Sequence, residues 1–124
     1  MSLALIIEDE PLLAFALEDD LRELGYTSFR TATSEKQAIE AARDKCPDLI
    51  LADHRIIGGT GTHAVLAICA DRAISVVFVS ASGCEIRERI PEALVVNKPF
   101  TFSELQTAVQ AAQNQPFRYR DGQI

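Results

Sequence analysis

Cysteine is scarce in this chain and poorly spaced for chemistry. The three thiols, Cys46, Cys69 and Cys84, form no C-x-x-C pair, so neither a zinc site nor a thioredoxin-type site is signalled. Free thiols fit a reducing cytoplasm, the expected location. No apolar run approaches the ~20 residues that a bilayer-spanning helix needs. The N-terminal Met-Ser-Leu-Ala-Leu-Ile-Ile-Glu lacks a basic stretch and an A-x-A cleavage site, and does not read as a secretory signal. Basic runs are missing as well. Only 12 Lys and Arg stand against 18 Asp and Glu, a net charge of −6, and phosphates repel such a surface. Neither a membrane nor a nucleic acid is therefore an expected partner. Repeats and low-complexity stretches are absent too.

What is present suffices for one core. A chain of 124 residues, 48% of them hydrophobic, is too apolar for disorder and long enough to fold as one domain without disulfide or metal staples. The hydrophobic period then changes back and forth along the chain. Leu3–Ile7 is a short continuous apolar run, the pattern of a strand buried on both faces, Asp48–Ala52 reads as the next buried strand and Ser75–Val79 as a β-branched one. Thr27–Thr31 and Leu94–Val96 read as two further strands. Between them lie helical patterns. Pro11 opens one in which Leu13, Leu17, Leu21 and Leu24 share a face, and Gly25 closes it. A second runs from Thr33 or Ser34 to about Lys45 and stops at Cys46-Pro47. A third covers Thr62 to Asp71. A short charged one, Glu85–Ile90, ends at Pro91, and the last starts at Thr101 or Ser103 with Phe102, Leu105, Ala108, Val109 and Ala112 on one side. This alternation predicts an α/β fold, a doubly wound five-stranded parallel sheet with helices on both faces.

Ligands of such sheets bind beyond the carboxyl ends of the strands. There the sequence places Glu8 and Asp9 after the first strand, Asp53 after the third, Ser80 after the fourth and Lys98 after the fifth. Three carboxylates, a hydroxyl and an ammonium are thus expected at one edge. Clustered carboxylates repel one another, and a hard cation such as Mg²⁺ relieves that with one or two of them plus water. Asp53 can then attack phosphorus, with Lys98 and the metal neutralising the phosphoryl oxygens and Ser80 donating a hydrogen bond to one of them.

The spans Ile6–Pro11, Pro47–Asp53, Val79-Ser80-Ala81 and Asn97-Lys98-Pro99-Phe100 resemble, in that order, the receiver domain of two-component response regulators. The likeness runs from about Leu3 to Gln113. It implies a flavodoxin-like (βα)5 receiver over residues 1–114, followed by a polar tail, 115–124, from which Phe117 and Tyr119 can dock. It implies phosphorylation of Asp53 by a histidine kinase or histidine phosphotransfer protein. Mg²⁺ would be bound by Asp9, Asp53 and the backbone carbonyl of Arg55, with Glu8 acting through a water, and Ser80 and Lys98 would bind the phosphoryl group. A stand-alone regulator signalling by protein contact to a still-unidentified downstream protein, as a monomer or weak homodimer, is the expectation. It would not be an enzyme beyond its own phosphorylation and dephosphorylation. A phosphate sink and a degenerate receiver acting as a constitutive binding module are the alternatives. A phosphohydrolase with an Asp nucleophile would carry Asp-x-Asp where this chain has Glu8-Asp9-Glu10.

Three places depart from the family pattern. Ile56-Ile57, followed by Gly58 and Gly59, stands where a Met-Pro or Leu-Pro pair is usual, which predicts a loosely held loop. Val95 replaces the Tyr or Phe that swings inward on activation. Only 17 residues separate Ser80 from Lys98, so the fourth helix has room for barely two turns. Activation therefore calls for a switch without the aromatic. Of the other candidates, Gly58–Gly61 lacks the phosphate-loop pattern and reads as a flexible turn. His54, next to Asp53 on a strand end, is expected to face the other way. His63 reads as exposed, Cys69 as a small core residue and Cys84 as exposed. Glu85, Arg87, Glu88 and Arg89 read as a solvated helix face bordering the output surface. Phosphate lifetime depends on groups near the site, here Arg55 and Ser82, and Arg55 can either reach across to shield the phosphoryl group from water or point to solvent.

Overall fold

The continuous apolar runs become the central strands of the computed structural model, which describes residues 2–119. In chain order the elements are β1 (Leu3–Ile7), α1 (Pro11–Glu23), β2 (Ser28–Ala32), α2 (Glu35–Asp44), β3 (Leu49–Ala52), α3 (Gly61–Ile68), β4 (Ser75–Ser80), α4 (Gly83–Arg89), β5 (Val95–Asn97) and α5 (Phe102–Asn114). All neighbours pair in parallel, in the order β2-β1-β3-β4-β5. β1, β3 and β4 are buried along their whole length, as continuous apolar runs require.

Strand alternation divides the interior in two. Leu5, Ile7, Ile50 and Phe78 face α2, α3 and α4, meeting Ala38, Ala42, Val65 and Ile86. Ala4, Ile6, Leu51 and Val77 face α1 and α5, meeting Leu17, Leu21, Leu105 and Val109. This is the doubly wound fold expected from the alternation, in the flavodoxin-like form that the family resemblance implies. Register aligns the strand ends as well. Ile7 lies opposite Ala52, Ala52 opposite Phe78, and Ser80 opposite Asn97. Residues 8, 53, 80 and 98 therefore leave the sheet at one edge.

Helix termini follow local chemistry. Ser34 caps α2 by accepting the Gln37 N–H. Thr101, rather than Ser103, caps α5 in a capping box with Glu104. Gly25, just past α1, has φ +103°, a conformation that glycine adopts without steric cost. β2, β3 and β5 each begin one residue later than the sequence pattern predicts. α3 ends at Ile68 instead of Asp71, because residues 70–73 turn back to feed β4. Among the described residues no helix is long and apolar enough to cross a membrane.

The C-terminal segment docks through its aromatics. Ile74 and Phe117 exchange backbone hydrogen bonds of 3.0 and 2.8 Å, and the Tyr119 N–H donates to the Cys69 carbonyl at 3.0 Å. With Val76, Phe78, Ile90 and Leu94, Phe117 lines the space beside the end of the two-turn α4. Residues 120–124 of the expected tail lie outside the described residues. Phe117→Ala should cost about 2 kcal/mol, less than a fully buried phenylalanine because the ring is half-buried. Urea unfolding checks this, and an unchanged midpoint would show that the segment contributes nothing to the core.

Candidate functional site

Glu8 and Asp53 step off the ends of β1 and β3 directly from core residues, so both carboxylates start their exit inside the protein. Both are buried. Lys98, arriving from β5, reaches over them. Its ammonium donates to Asp53 Oδ2 at 2.7 Å and to Glu8 Oε1 at 3.3 Å. Burial raises the Glu8 pKa above its ordinary 4.5, against the opposing pull of the Glu10 N–H and the Lys98 charge. For Lys98, burial alone would lower the pKa. The hydrogen bond and charge of Asp53, with the charge of Glu8, outweigh it and leave the ammonium above its ordinary 10.5.

The remaining oxygens of the pair have weaker partners. Glu8 Oε2 accepts the Glu10 N–H at 3.1 Å, and among the described residues Asp53 Oδ1 accepts only the Arg55 N–H, at 3.4 Å. Ser80, fully buried, accepts the Ser82 N–H on its hydroxyl at 3.0 Å. Asp9 is half-buried, and its carboxylate makes no hydrogen bond or ion pair among the described residues. The structure thus joins Glu8, Asp53 and Lys98 directly and keeps Ser80 alongside through the Lys98 N–H to Ser80 carbonyl bond at 3.2 Å, but does not draw Asp9 into the cluster. No group of three acidic, histidine or cysteine side chains among the described residues is arranged to hold a metal ion. What the edge offers a cation is oxygen alone, from one or two carboxylates and a carbonyl. That donor chemistry fits hydrated Mg²⁺, which keeps several waters, better than any ion that needs a closed cage.

The loop after Asp53 is held, not loose. Arg55 and Thr60 form an antiparallel bridge, and the Gly61 N–H donates to the His54 carbonyl at 2.9 Å. A Cβ on Gly61 would overlap the carbonyl oxygen of Asp53, so the turn reading of Gly58–Gly61 misses a close backbone approach directly behind the acid. Gly58 and Gly59 both have positive φ, and Gly59 lies against the Glu35 side chain. Glu35 in turn accepts from Thr60 N–H at 3.2 Å and meets the His63 ring, whose contact holds the Glu35 carboxyl below its ordinary range. His63 is therefore exposed but engaged, rather than merely exposed.

His54 turns away from Asp53, as strand alternation predicts, with Nδ1 2.7 Å from the buried Thr62 hydroxyl and Nε2 3.2 Å from Glu85 Oε2. Arg55 extends the same way, donating from Nε to Ser82 Oγ at 3.0 Å and from Nη2 to Glu85 Oε1 at 2.8 Å. Glu85 is exposed, as expected of a solvated face, and in addition bridges to the residues that follow Asp53. Nothing in its i, i+3 or i, i+4 surroundings signals a partner 30 positions away. Cys69 is buried in the core, where desolvation pushes its thiol up to about 12, and Cys84 is exposed.

Two outcomes follow from this geometry. Gly61→Ala should destabilise the protein by about 3 kcal/mol, since the neighbour in the way is main chain; a change within 0.5 kcal/mol would mean the loop yields freely. Glu8→Gln should change the pH dependence of stability in chelator-treated protein. Because the folded pKa is raised, the stability linked to Glu8 is fully present below 4.5 and lost as pH rises through the folded value. Urea midpoints of wild type should therefore fall relative to Glu8→Gln as pH rises above 4.5, and parallel curves would contradict the assignment.

A family model described as the response regulator receiver domain matches residues 4–110. The phyllosphere-induced regulator PhyR of Methylorubrum extorquens is 33% identical over 112 residues, covering 87% of this chain and 42% of that protein. The transcriptional regulatory protein PdtaR of Mycobacterium tuberculosis is also 33% identical over 112 residues, covering 87% of this chain and 55% of the relative. The chain thus spans about half the length of the curated relatives it matches. The receiver domain of Erythrobacter litoralis PhyR superposes with a TM-score of 0.84 at 34% identity, covering 93% of this chain and 92% of that one. A PhyR variant of Bartonella quintana, described as an anti-anti-sigma factor, gives 0.76 at 30% identity, over 91% of this chain and 48% of the other.

Proposed function

The chain belongs to the response regulator receiver domain family, and from that premise we propose that it accepts a phosphoryl group on Asp53 and signals the change by protein contact. One observation carries this reading: a lysine ammonium bound to a buried aspartate and a second buried carboxylate at the carboxyl edge of a parallel sheet, with a serine hydroxyl on the next strand end. A carboxylate so held is a poor structural ion pair, because charges removed from water must be repaid by geometry. It is a suitable nucleophile.

The donor is a histidine kinase or histidine phosphotransfer protein. An oxygen of Asp53 bonds to phosphorus as the P–N bond of the phosphohistidine breaks, and the electron pair returns to the imidazole nitrogen, which takes up a proton. Oδ1, the less engaged oxygen, is the natural attacking atom, and Lys98 keeps Oδ2 oriented. During transfer Lys98 turns one donor from Glu8 to a phosphoryl oxygen while another stays on Asp53 Oδ2, and the Ser80 hydroxyl donates to a second phosphoryl oxygen. Asp9, Asp53 and the Arg55 carbonyl would hold Mg²⁺, with Glu8 acting through a water. When bound, the ion supplies positive charge to the phosphoryl oxygens and offsets the crowding of the acids.

Leu12 and Phe15, exposed in the first turns of α1 just past Glu8 to Glu10, offer an apolar patch beside the site for the donor protein. A protein partner also fits the output side, given a relative described as an anti-anti-sigma factor and a surface of net charge −6 without basic runs.

Intact mass after incubation with acetyl phosphate and Mg²⁺ tests the reading. One added phosphoryl group is expected, absent in Asp53→Asn and in chelator. Ser80→Ala should slow its appearance about 10²-fold, the usual cost of losing one donor to a developing charge. No adduct at any time, with no phosphate released, would turn the reading to a constitutive binding module.

A further inference from the structure

Between Asp53 and α4 runs a chain of polar contacts that phosphoryl transfer does not use. Ser80 Oγ accepts the Ser82 N–H at 3.0 Å, and Ser82 Oγ accepts from Arg55 Nε at 3.0 Å. Arg55 Nη2 donates to Glu85 Oε1 at 2.8 Å, while the other oxygen of Glu85 lies 3.2 Å from His54 Nε2. The Thr62 hydroxyl, 2.7 Å from His54 Nδ1, can donate to that nitrogen, which leaves Nε2–H to donate to Glu85. Neutral imidazole suffices for this pairing. Both residues that follow Asp53 therefore grip one carboxylate on α4. Arg55 and then His54 hold that carboxyl below its ordinary range.

The helix they grip is weakly fixed. α4 has seven residues, too few to be stable by itself, and within it only Gly83 and Ile86 are buried. Its N-cap residue, Ser82, makes no side-chain cap bond, and its hydroxyl accepts from Arg55 instead. The Arg55 guanidinium is mostly exposed and always charged, so it can move at little packing cost.

We infer that Arg55 and Glu85 form the latch through which this receiver reads its own phosphorylation, standing in for the aromatic that Val95 replaces. The inference rests on Asp53 being the phosphoacceptor. In the unmodified protein Arg55 fastens α4 through Glu85 and Ser82. A phosphoryl group on Asp53, two residues before Arg55, adds a charge of about −1.5 to −2 and competes for the guanidinium. Ser80 turns its hydroxyl to the same group and gives up the Ser82 N–H. Arg55 leaves, Glu85 loses its cation, and the Ser82 hydroxyl is freed. α4 then shifts from its seat beside β5, exposing a surface for the partner.

Amide exchange over residues 83–90 tests this in the full chain. In unmodified protein, Glu85→Gln should exchange about three- to fivefold faster than wild type there, the range set by an ion pair of this exposure. Raising NaCl to ~1 M should speed wild type toward the variant and leave the variant unchanged. Wild type carrying the phosphoryl adduct, verified by mass, should match unmodified Glu85→Gln, with Asp53→Asn in the same acetyl phosphate buffer remaining slow. Equal exchange in unmodified wild type and Glu85→Gln would overturn the latch whatever happens at Asp53. A verified adduct that leaves residues 83–90 protected would overturn the release step alone. Failure to form any adduct would remove the phosphoacceptor reading, and the release step with it, while the unmodified variants still decide the clamp.

Discussion

One ammonium sets the terms for the carboxyl edge of this sheet. Lys98 stands between two carboxylates that the fold has buried, and neither could remain ionised there at small cost without it. The arrangement is unequal. Asp53 has the short bond and Glu8 the longer one, and burial raises the Glu8 pKa. An incoming cation or phosphoryl group changes the partnerships of Lys98, and every neighbouring polar contact must then be redistributed.

Much of that edge was legible in the sequence because strand period and strand end are local properties. The apolar runs Leu3–Ile7 and Ser75–Val79 identify buried strands, and buried parallel strands force their following residues to a common edge. The Lys98 contacts could be anticipated on this ground. The limits of legibility are equally physical. Asp9, adjacent to Glu8, makes no side-chain hydrogen bond or ion pair among the described residues, since neighbouring residues leave a strand end in different directions. Gly61 looked like slack in a glycine-rich turn, because closeness to the Asp53 carbonyl depends on tertiary approach and leaves no mark on spacing. Glu85 is the clearest case: in a run of alternating charges it is indistinguishable from Glu88, and only the fold selects it to meet Arg55 and His54.

The short α4 and the docked C-terminal segment are two sides of one economy of cover. A two-turn helix leaves part of the sheet face around Val76 and Phe78 beside it, and Phe117 is brought there by its pairing with Ile74. The far end of α4 runs into Ile90, which borders that same space. The near end is governed by polar contacts and the far end by apolar ones. A displacement of α4 is thus confined on one side by packing that has no counterpart in charge.

The close approach at Gly61 gives the aspartate a rigid back wall. Because the Asp53 carbonyl is pressed against the start of α3, the main chain there has no room for recoil. Whatever bulk is added to the carboxylate must be absorbed by what lies in front of it. The backbone works as an anvil, and mechanical response is left to side chains and to the one short helix that can give way.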